Sequence, residues 1–240
     1  MSRPFKAVVL AAGMGTRLNS PVPKVLHKVL GRDMVTYPID AALAAGAVEV
    51  AVVVGHGRDQ VERALDRRYQ TNIDDGPGDA YVTTHVQHEM LGTADAVKAA
   101  APAFAEFDGA VMILSGDVPN IPSECIAQLL EIHERGLSPV SMVTAHDQTK
   151  NAYGRIERDA IGGVTAITEY KDAGEAVRAL TEVNLGTYLV TPISFVTDSP
   201  RSTATTLRES STSPTWSPWR TPAVVRLKPS SGRTSTRFTA

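Results

Sequence analysis

The chain has 240 residues, 42% of them hydrophobic and 21% charged, with a formal net charge of −2. That much apolar sequence can bury the core of one large α/β domain or two small ones, and the near-neutral balance offers no electrostatic footprint for nucleic acid. A single cysteine, Cys125, rules out an intrachain disulfide and fits a reducing, cytoplasmic compartment, and no apolar run approaches the length of a membrane span.

Arg3 and Lys6 precede the apolar residues 7–12, a pattern shared with short signal peptides, but the glycine-rich turn that follows favours a strand and loop. Residues 7–10 read as that strand, and residues 34–45, closed by Gly46, as a helix. Residues 48–54 form a second strand ending at Gly55, and 60–69 a charged surface helix. Residues 81–86 alternate like a third strand, 94–104 are helical across Pro102, and 110–114 are a buried strand. A helix over 121–136, with Ser123 as its cap, leads into a strand at 140–145. Alternating strands and helices with β-rich apolar runs predict an α/β fold, a doubly wound and mostly parallel sheet. The period then changes. Residues 154–158, 164–170 and 184–190 read as strands without long helices between them, a smaller antiparallel or mixed β part. Ligands of such sheets gather at the carboxyl ends of the strands.

The first strand runs into Leu10, Ala11, Ala12, Gly13, Met14, Gly15, Thr16 and Arg17, with Pro23 and Lys24 shortly after. Small residues let backbone approach a ligand closely, and successive N–H groups can cradle phosphate oxygens. Arg17 and Lys24 add positive charge where a triphosphate would lie. Neither the Walker nor the Rossmann glycine spacing is met. A plain strand-to-helix turn accounts for the glycines, though less well for the two cations.

The string Gly13-x-Gly15-Thr16-Arg17 with Pro23-Lys24 resembles the signature of the sugar nucleotidyltransferases, and Pro23-Lys24-Val25-Leu26-His27 resembles the N-acetylglucosamine-1-phosphate uridyltransferase family, the N-terminal half of bifunctional GlmU enzymes. Further landmarks follow in register: Gln87, Leu91-Gly92-Thr93-Ala94, Gly116-Asp117-Val118-Pro119, Tyr153-Gly154-Arg155-Ile156, Glu169-x-Lys171-Asp172-Ala173 and Glu182-Val183-Asn184-x-Gly186. They cover roughly residues 5–190.

The resemblance implies a Rossmann-like nucleotidyltransferase fold and a reaction in which UMP passes from UTP to N-acetylglucosamine 1-phosphate with release of pyrophosphate, assisted by Mg²⁺. Arg17 and Lys24 would be catalytic, and Asp117 would hold the metal. Leu10, Ala11, Ala12, Gly13, Gln87, Gly92, Thr93, Ser115 and Gly116 would bind the nucleotide. Gly154, Glu169 and Asn184 would bind the sugar. Plainer readings stand beside these: Asp117 as a helix cap, Gln87 as a surface glutamine, Glu169 and Asn184 as exposed strand residues. Asp95 stands where the family commonly has histidine. The six histidines have no metal-ligand spacing. A related transferase for another base or sugar, and an inactive nucleotide-binding remnant, are the alternatives.

Residues 199–240 differ from the rest. They hold eighteen Ser or Thr, both tryptophans, and six Arg and one Lys against the single acid Glu209. That stretch is +6 and everything before it −8. With suitable synonymous codons, residues 204–217 read in a shifted frame give Asp-Asn-Ala-Gln-Gly-Glu-Phe-Tyr-Leu-Thr-Asp-Val-Val, which resembles the family's next motif. The expectation is a nucleotidyltransferase domain over 1–198, C-terminally incomplete, and a frameshifted, disordered tail over 199–240. The wall of the sugar pocket, a metal-holding Asn and the trimer-forming acetyltransferase part of the family would then be missing. Acetyl transfer is expected to be absent, and uridyl transfer by the chain as written is in question.

Overall fold

A computed structural model describes residues 4–15, 18–69, 81–136, 138–149, 151–191 and 223–227. The chain divides into two compact units, the described part of the first lying within residues 4–127 with residues 190–191 and that of the second within Gln128–Leu189 with the strand Ala223–Leu227. The expected boundary at 198/199 falls outside the described residues.

The first unit contains β1 (Phe5–Leu10), a short hairpin of β2 (Lys28–Val29) and β3 (Arg32–Asp33), α1 (Thr36–Ala44), β4 (Ala47–Val54), α2 (Arg58–Tyr69), β5 (Tyr81–Val86), α3 (Thr93–Ala99) and β6 (Ala110–Ser115). Its sheet has the order β6-β1-β4-β5, and every pairing is parallel. Strands covered on both faces read as continuous apolar runs. Accordingly Ala7, Val8 and Val9 of β1 and Val50, Val52, Val53 and Val54 of β4 are all inaccessible to solvent. One buried charge interrupts this core. Glu49 accepts from Lys6 Nζ at 2.7 Å, Thr83 Oγ1 at 3.1 Å and Tyr81 Oη at 3.3 Å.

Two local features depart from expectation. The helix expected over 94–104 ends at Ala99 and continues only as a 3-10 turn at Ala101–Ala103. Pro102 lacks the N–H an α-helix needs there and crowds the preceding turn. The β2–β3 hairpin was not anticipated. It turns on Leu30 and Gly31, whose φ values of 49° and 82° are the left-handed pair that two-residue hairpins favour.

Helix α4 (Ser123–Arg135) buries Cys125, Ile126, Leu129, Leu130 and His133, the spacing of one helical face. Burial pushes the Cys125 thiol up to about 11.

The second unit holds β7 (Val140–His146), β8 (Arg155–Arg158), β9 (Val164–Thr168), α5 (Glu175–Arg178), β10 (Glu182–Val190) and β11 (Ala223–Leu227). The order is β11-β7-β10, with β8 antiparallel to both β10 and β9 and β11 parallel to β7. Strands β8, β9 and β10, joined by antiparallel pairings through β8, occupy the stretch where the change of period implied an antiparallel or mixed β part. Strand β11 lies inside the stretch expected to be disordered. Its Ala-Val-Val-Arg-Leu run is the longest β-favouring segment there, and it takes five register positions along β7.

The His133 ring meets Ser141 Oγ at 2.8 Å through Nδ1. Its pKa is lowered from the ordinary 6.5, chiefly by desolvation. Below that pH the unfolded chain therefore binds the proton more tightly than the folded one, so stability is retained above about pH 6.5 and lost as pH falls through and below it. His133→Asn is expected to flatten the fall in urea midpoint between pH 7.5 and 5.5. Identical slopes for the variant and the parent would contradict the assignment.

Candidate functional site

In the first unit, β1 lies between β4 and β6, so the chain crosses to opposite sides of it in turn. The carboxyl ends of such strands are where a doubly wound sheet binds ligands. Leu10 is in register with Val53 and Ser115, and Val54 with Val86. The residues that leave these strands are cross-linked at one edge. Ala11 N donates to Val53 O at 2.8 Å, Gly116 N to Leu10 O at 2.9 Å, His56 N to Ala12 O at 3.1 Å and Gln87 N to Val54 O at 2.8 Å. Leu10, Ala11, Ala12, Gln87, Ser115 and Gly116 are thus brought together, with Gly13 exposed beside them.

Two glycines there are required by space. A Cβ on Gly116 would come within 2.8 Å of the Leu10 carbonyl oxygen, so β1 and β6 could not stay in contact at their ends. Gly15 has φ +59°, and a Cβ on it would sit 2.7 Å from Lys24 Cβ. Turn and lysine therefore touch. The Lys24–Leu26 3-10 turn presents Lys24 Nζ to Asp117 Oδ2, and the two form an ion pair and hydrogen bond. Both side chains keep about a third of their surface open, 39% for Lys24 and 34% for Asp117. A cation and a carboxylate thus stand together at the solvent side of the strand ends, reachable by a ligand. Arg17 and Thr16 lie outside the described residues.

Gln87 is only 6% exposed, which sets aside the reading of a surface glutamine. Its Nε2 donates to Asp95 Oδ2 at 2.9 Å and to Gly92 O at 3.3 Å. Both donors are used, and the carbonyl oxygen is the group left to meet a ligand. Asp95 was noted in the sequence only as a departure from a family pattern. Its function as the partner of Gln87 could have been sought in the (i, i+8) pairing of an amide with an acid across a glycine turn, but nothing in the spacing required it. Gly92 precedes α3, and Thr93 is exposed at its first residue.

In the second unit Gly154, Glu169 and Asn184 come together. Asn184 N donates to Gly154 O at 2.9 Å, and a Cβ on buried Gly154 would lie 3.4 Å from Glu169 Oε1. Glu169 is exposed. The Asn184 side chain is fixed at both ends, Oδ1 accepting from Gly186 N at 3.0 Å and Nδ2 donating to Tyr188 Oη at 2.6 Å. One amide N–H and one lone pair remain. Tyr188 was missed by sequence reasoning. Burial raises its hydroxyl pKa above the ordinary value, which keeps it a neutral partner.

Among the described residues there is no group of three or more His, Cys, Asp or Glu side chains placed to hold a metal. No helix among them is long and apolar enough to cross a membrane.

The sequence profile of the MobA-like NTP transferase domain matches residues 7–187. The bifunctional protein GlmU of Sorangium cellulosum (strain So ce56) is 49% identical over 187 residues, 78% of this chain and 38% of that protein. GlmU of Anaeromyxobacter sp. (strain K) is 43% identical over 78% of this chain and 37% of its own length, and that of Brevibacillus brevis 41% over 76% and 37%. The chain thus spans well under half the length of these relatives. A crystal structure of UDP-glucose pyrophosphorylase complexed with UDP-glucose superimposes with a TM-score of 0.60 over 80% of this chain and 78% of that one. At 19% identity that likeness establishes the fold alone, a nucleotidyltransferase-like α/β sheet.

Proposed function

The chain belongs to the MobA-like NTP transferase domain family, and from that membership we propose that it is a sugar-1-phosphate nucleotidyltransferase, transferring UMP from UTP to N-acetylglucosamine 1-phosphate. The observation that carries this reading is the Lys24–Asp117 pair, held against the Leu10–Gly15 turn at the carboxyl ends of β1 and β6. Its support in sequence is the 49% identity to a GlmU protein over 187 residues, and the family profile spans residues 7–187, within which the landmarks named above lie.

In the reaction a phosphate oxygen of the sugar phosphate attacks the α-phosphorus of UTP. A new P–O bond forms there as the bond to the β-phosphate oxygen breaks, and pyrophosphate leaves with that electron pair. The nucleophile is already an anion, so no general base is needed, and a site with cations and glycines but no activated nucleophile suits the task. Lys24 offsets charge on the phosphates, Arg17 is proposed to do the same, and the small residues Ala11, Ala12 and Gly13 let backbone come close to the phosphates. The Gln87 carbonyl oxygen accepts from a uracil N3–H, because Asp95 and Gly92 hold its amide donors on the other side. Gly92 and Thr93 offer backbone groups to the same base. In the second unit, Glu169 accepts from sugar hydroxyls, and the remaining Asn184 N–H meets the acetamido or hydroxyl oxygen, with Gly154 giving them room.

A magnesium ion fits the donor set in one respect: Asp117 is a carboxylate about one-third exposed, with one oxygen free of Lys24, and Mg²⁺ commonly takes one or two protein carboxylates and completes its shell with phosphate oxygens and water. Held by Asp117, it would supply further charge neutralisation on the triphosphate.

Pyrophosphate release by the purified chain should be compared for UTP, CTP, dTTP, GTP and ATP, each with N-acetylglucosamine 1-phosphate and with glucose 1-phosphate. The expected result is release that is fastest with UTP and the N-acetylated sugar. Preference for another base or sugar would replace the substrate assignment. Absence of release by a protein that circular dichroism reports as folded would overturn the activity.

A further inference from the structure

A second cationic site lies apart from the strand ends, in the first unit. The β2–β3 hairpin, the start of α1 and the last turns of α2 enclose an open cavity of about 280 Å³, whose lining includes Lys28, Arg32, Asp33, Thr36, Arg67 and Arg68. Four cations face one acid there. A second acid, Asp40, stands behind the wall and ties two of the arginines together: Arg32 Nη2 donates to Asp40 Oδ2, and Arg68 Nη2 donates to the same oxygen at 2.6 Å. Lys28 pairs with Asp33 at 3.2 Å. The four cations and two acids leave a charge of +2.

Both guanidinium groups are held in place before any ligand arrives. Arg32 stacks over the Tyr37 ring at 4.5 Å and Arg68 over the Tyr69 ring at 5.4 Å. Tyr69 Oη donates to Asp40 Oδ1 at 2.7 Å, which fixes the carboxylate that anchors them. Their donors are not exhausted. Among the described residues, Nη1 of neither arginine is used, Arg32 Nε is buried without a partner, and Arg67 has no hydrogen bond or ion pair. Like charges gathered in a concave site raise the local concentration of anions. Pre-set guanidinium forks with spare N–H groups suit the planar or tetrahedral oxygens of carboxylate and phosphate. A volume near 280 Å³ admits a compact group, and a net +2 matches a phosphate monoester dianion.

We propose that this cavity is a binding site for a small phosphate monoester, separate from the nucleotide turn, with Arg32, Arg67, Arg68 and Lys28 as its cationic wall. The hairpin that supplies Lys28 and Arg32 follows directly on the Lys24–Leu26 turn, and Val35 N bonds back to Val25 O at 2.9 Å. An anion here therefore braces the segment that carries Lys24.

Inorganic phosphate is the probe. It is titrated by calorimetry at constant ionic strength, with chloride as the compensating anion, into the parent chain, Lys24→Ala and the double variant Lys28→Ala/Arg67→Ala. Lys28 and Arg67 are exposed and lie outside the Asp40 cluster, so the double variant should keep its circular dichroism spectrum and melting temperature. Saturable binding that persists in Lys24→Ala and weakens at least tenfold in the double variant is expected. The proposal is overturned if the parent binds no phosphate saturably, or if the double variant titrates like the parent. A loss confined to Lys24→Ala also overturns it, because the anion then sits in the nucleotide turn.

Discussion

Replacing Asp117 by alanine should lower the pyrophosphate release proposed for this chain by about 10²–10³-fold while leaving the fold intact, the range seen when one preorganised charge-stabilising group is removed. The two halves of this expectation rest on different properties of one residue. Asp117 stands at the end of β6 where Gly116 N already bonds to Leu10 O, so the backbone position does not depend on its side chain. Its ion pair with Lys24 is about one-third exposed on both sides, and pairs that open to water contribute little to stability, typically below about 1 kcal/mol. The melting temperature should therefore move little. Activity is another matter. With the carboxylate gone, Lys24 loses the partner that aims its ammonium group, and the site loses the oxygen proposed to hold a metal. Asp117→Asn, which keeps shape and one hydrogen-bond acceptor but not the charge, should be nearly as inactive. Release within tenfold of the parent chain in either variant would remove Asp117 from the site.

Replacing Arg158 by alanine has the opposite profile, a large loss of stability. Glu182 is 7% exposed. Its carboxylate takes Arg158 Nε at 2.7 Å on one oxygen and Arg158 Nη2 at 2.6 Å on the other, with Thr144 Oγ1 donating at 2.8 Å. Such two-point pairing offsets a buried charge, and taking away the arginine leaves the Glu182 carboxylate desolvated without the cation that balanced it. Losses of about 3–5 kcal/mol follow when a buried pair is broken from one side. The second unit should then unfold at a much lower urea concentration. Arg158→Met combined with Glu182→Leu removes both charges and should recover most of the loss, because the penalty belongs to a buried carboxylate deprived of its balancing cation. A single-variant loss below about 1 kcal/mol, or a double variant no better than the single, would defeat this account.

Much of the sheet was legible in the sequence because β1, β4 and β6 are covered on both faces and so leave mostly apolar runs, broken in β1 by Lys6 and in β4 by its partner Glu49 and bounded by Gly13, Gly55 and Gly116. Residues 81–86 were bounded correctly by their alternation alone. What escaped was set by tertiary context. Leu30-Gly31 is not a recognisable hairpin dipeptide, yet two left-handed residues in succession make one. The four-residue α5 is too short for any period to register. The candidate site was legible as positions but not as partnerships. Gly13-x-Gly15 and Lys24 marked the turn, and Gly116-Asp117 the facing strand end, but that Lys24 and Asp117 pair across 93 residues is a product of β1 lying beside β6. The same holds for Asn184 and Tyr188, whose shared hydrogen bond needs the strand to bend around Gly186, at φ +69°. Gln87 offered the least on its own, and only burial and the Asp95 contact distinguish it from an ordinary surface amide.

The one sulfhydryl of the chain sits on the first turn of α4 with no solvent access, its proton held more firmly than in a free thiol. An alkylating reagent reacts with thiolate, so in the closed state the reaction is suppressed twice over, by enclosure and by protonation. Modification then waits for the beginning of that helix to open, and its rate at low reagent concentration measures the free energy of that opening against the free energy of global unfolding. The chain thus contains a single-site clock for local breathing that needs no added label, and a ligand that steadies the first unit should slow it in proportion to its occupancy.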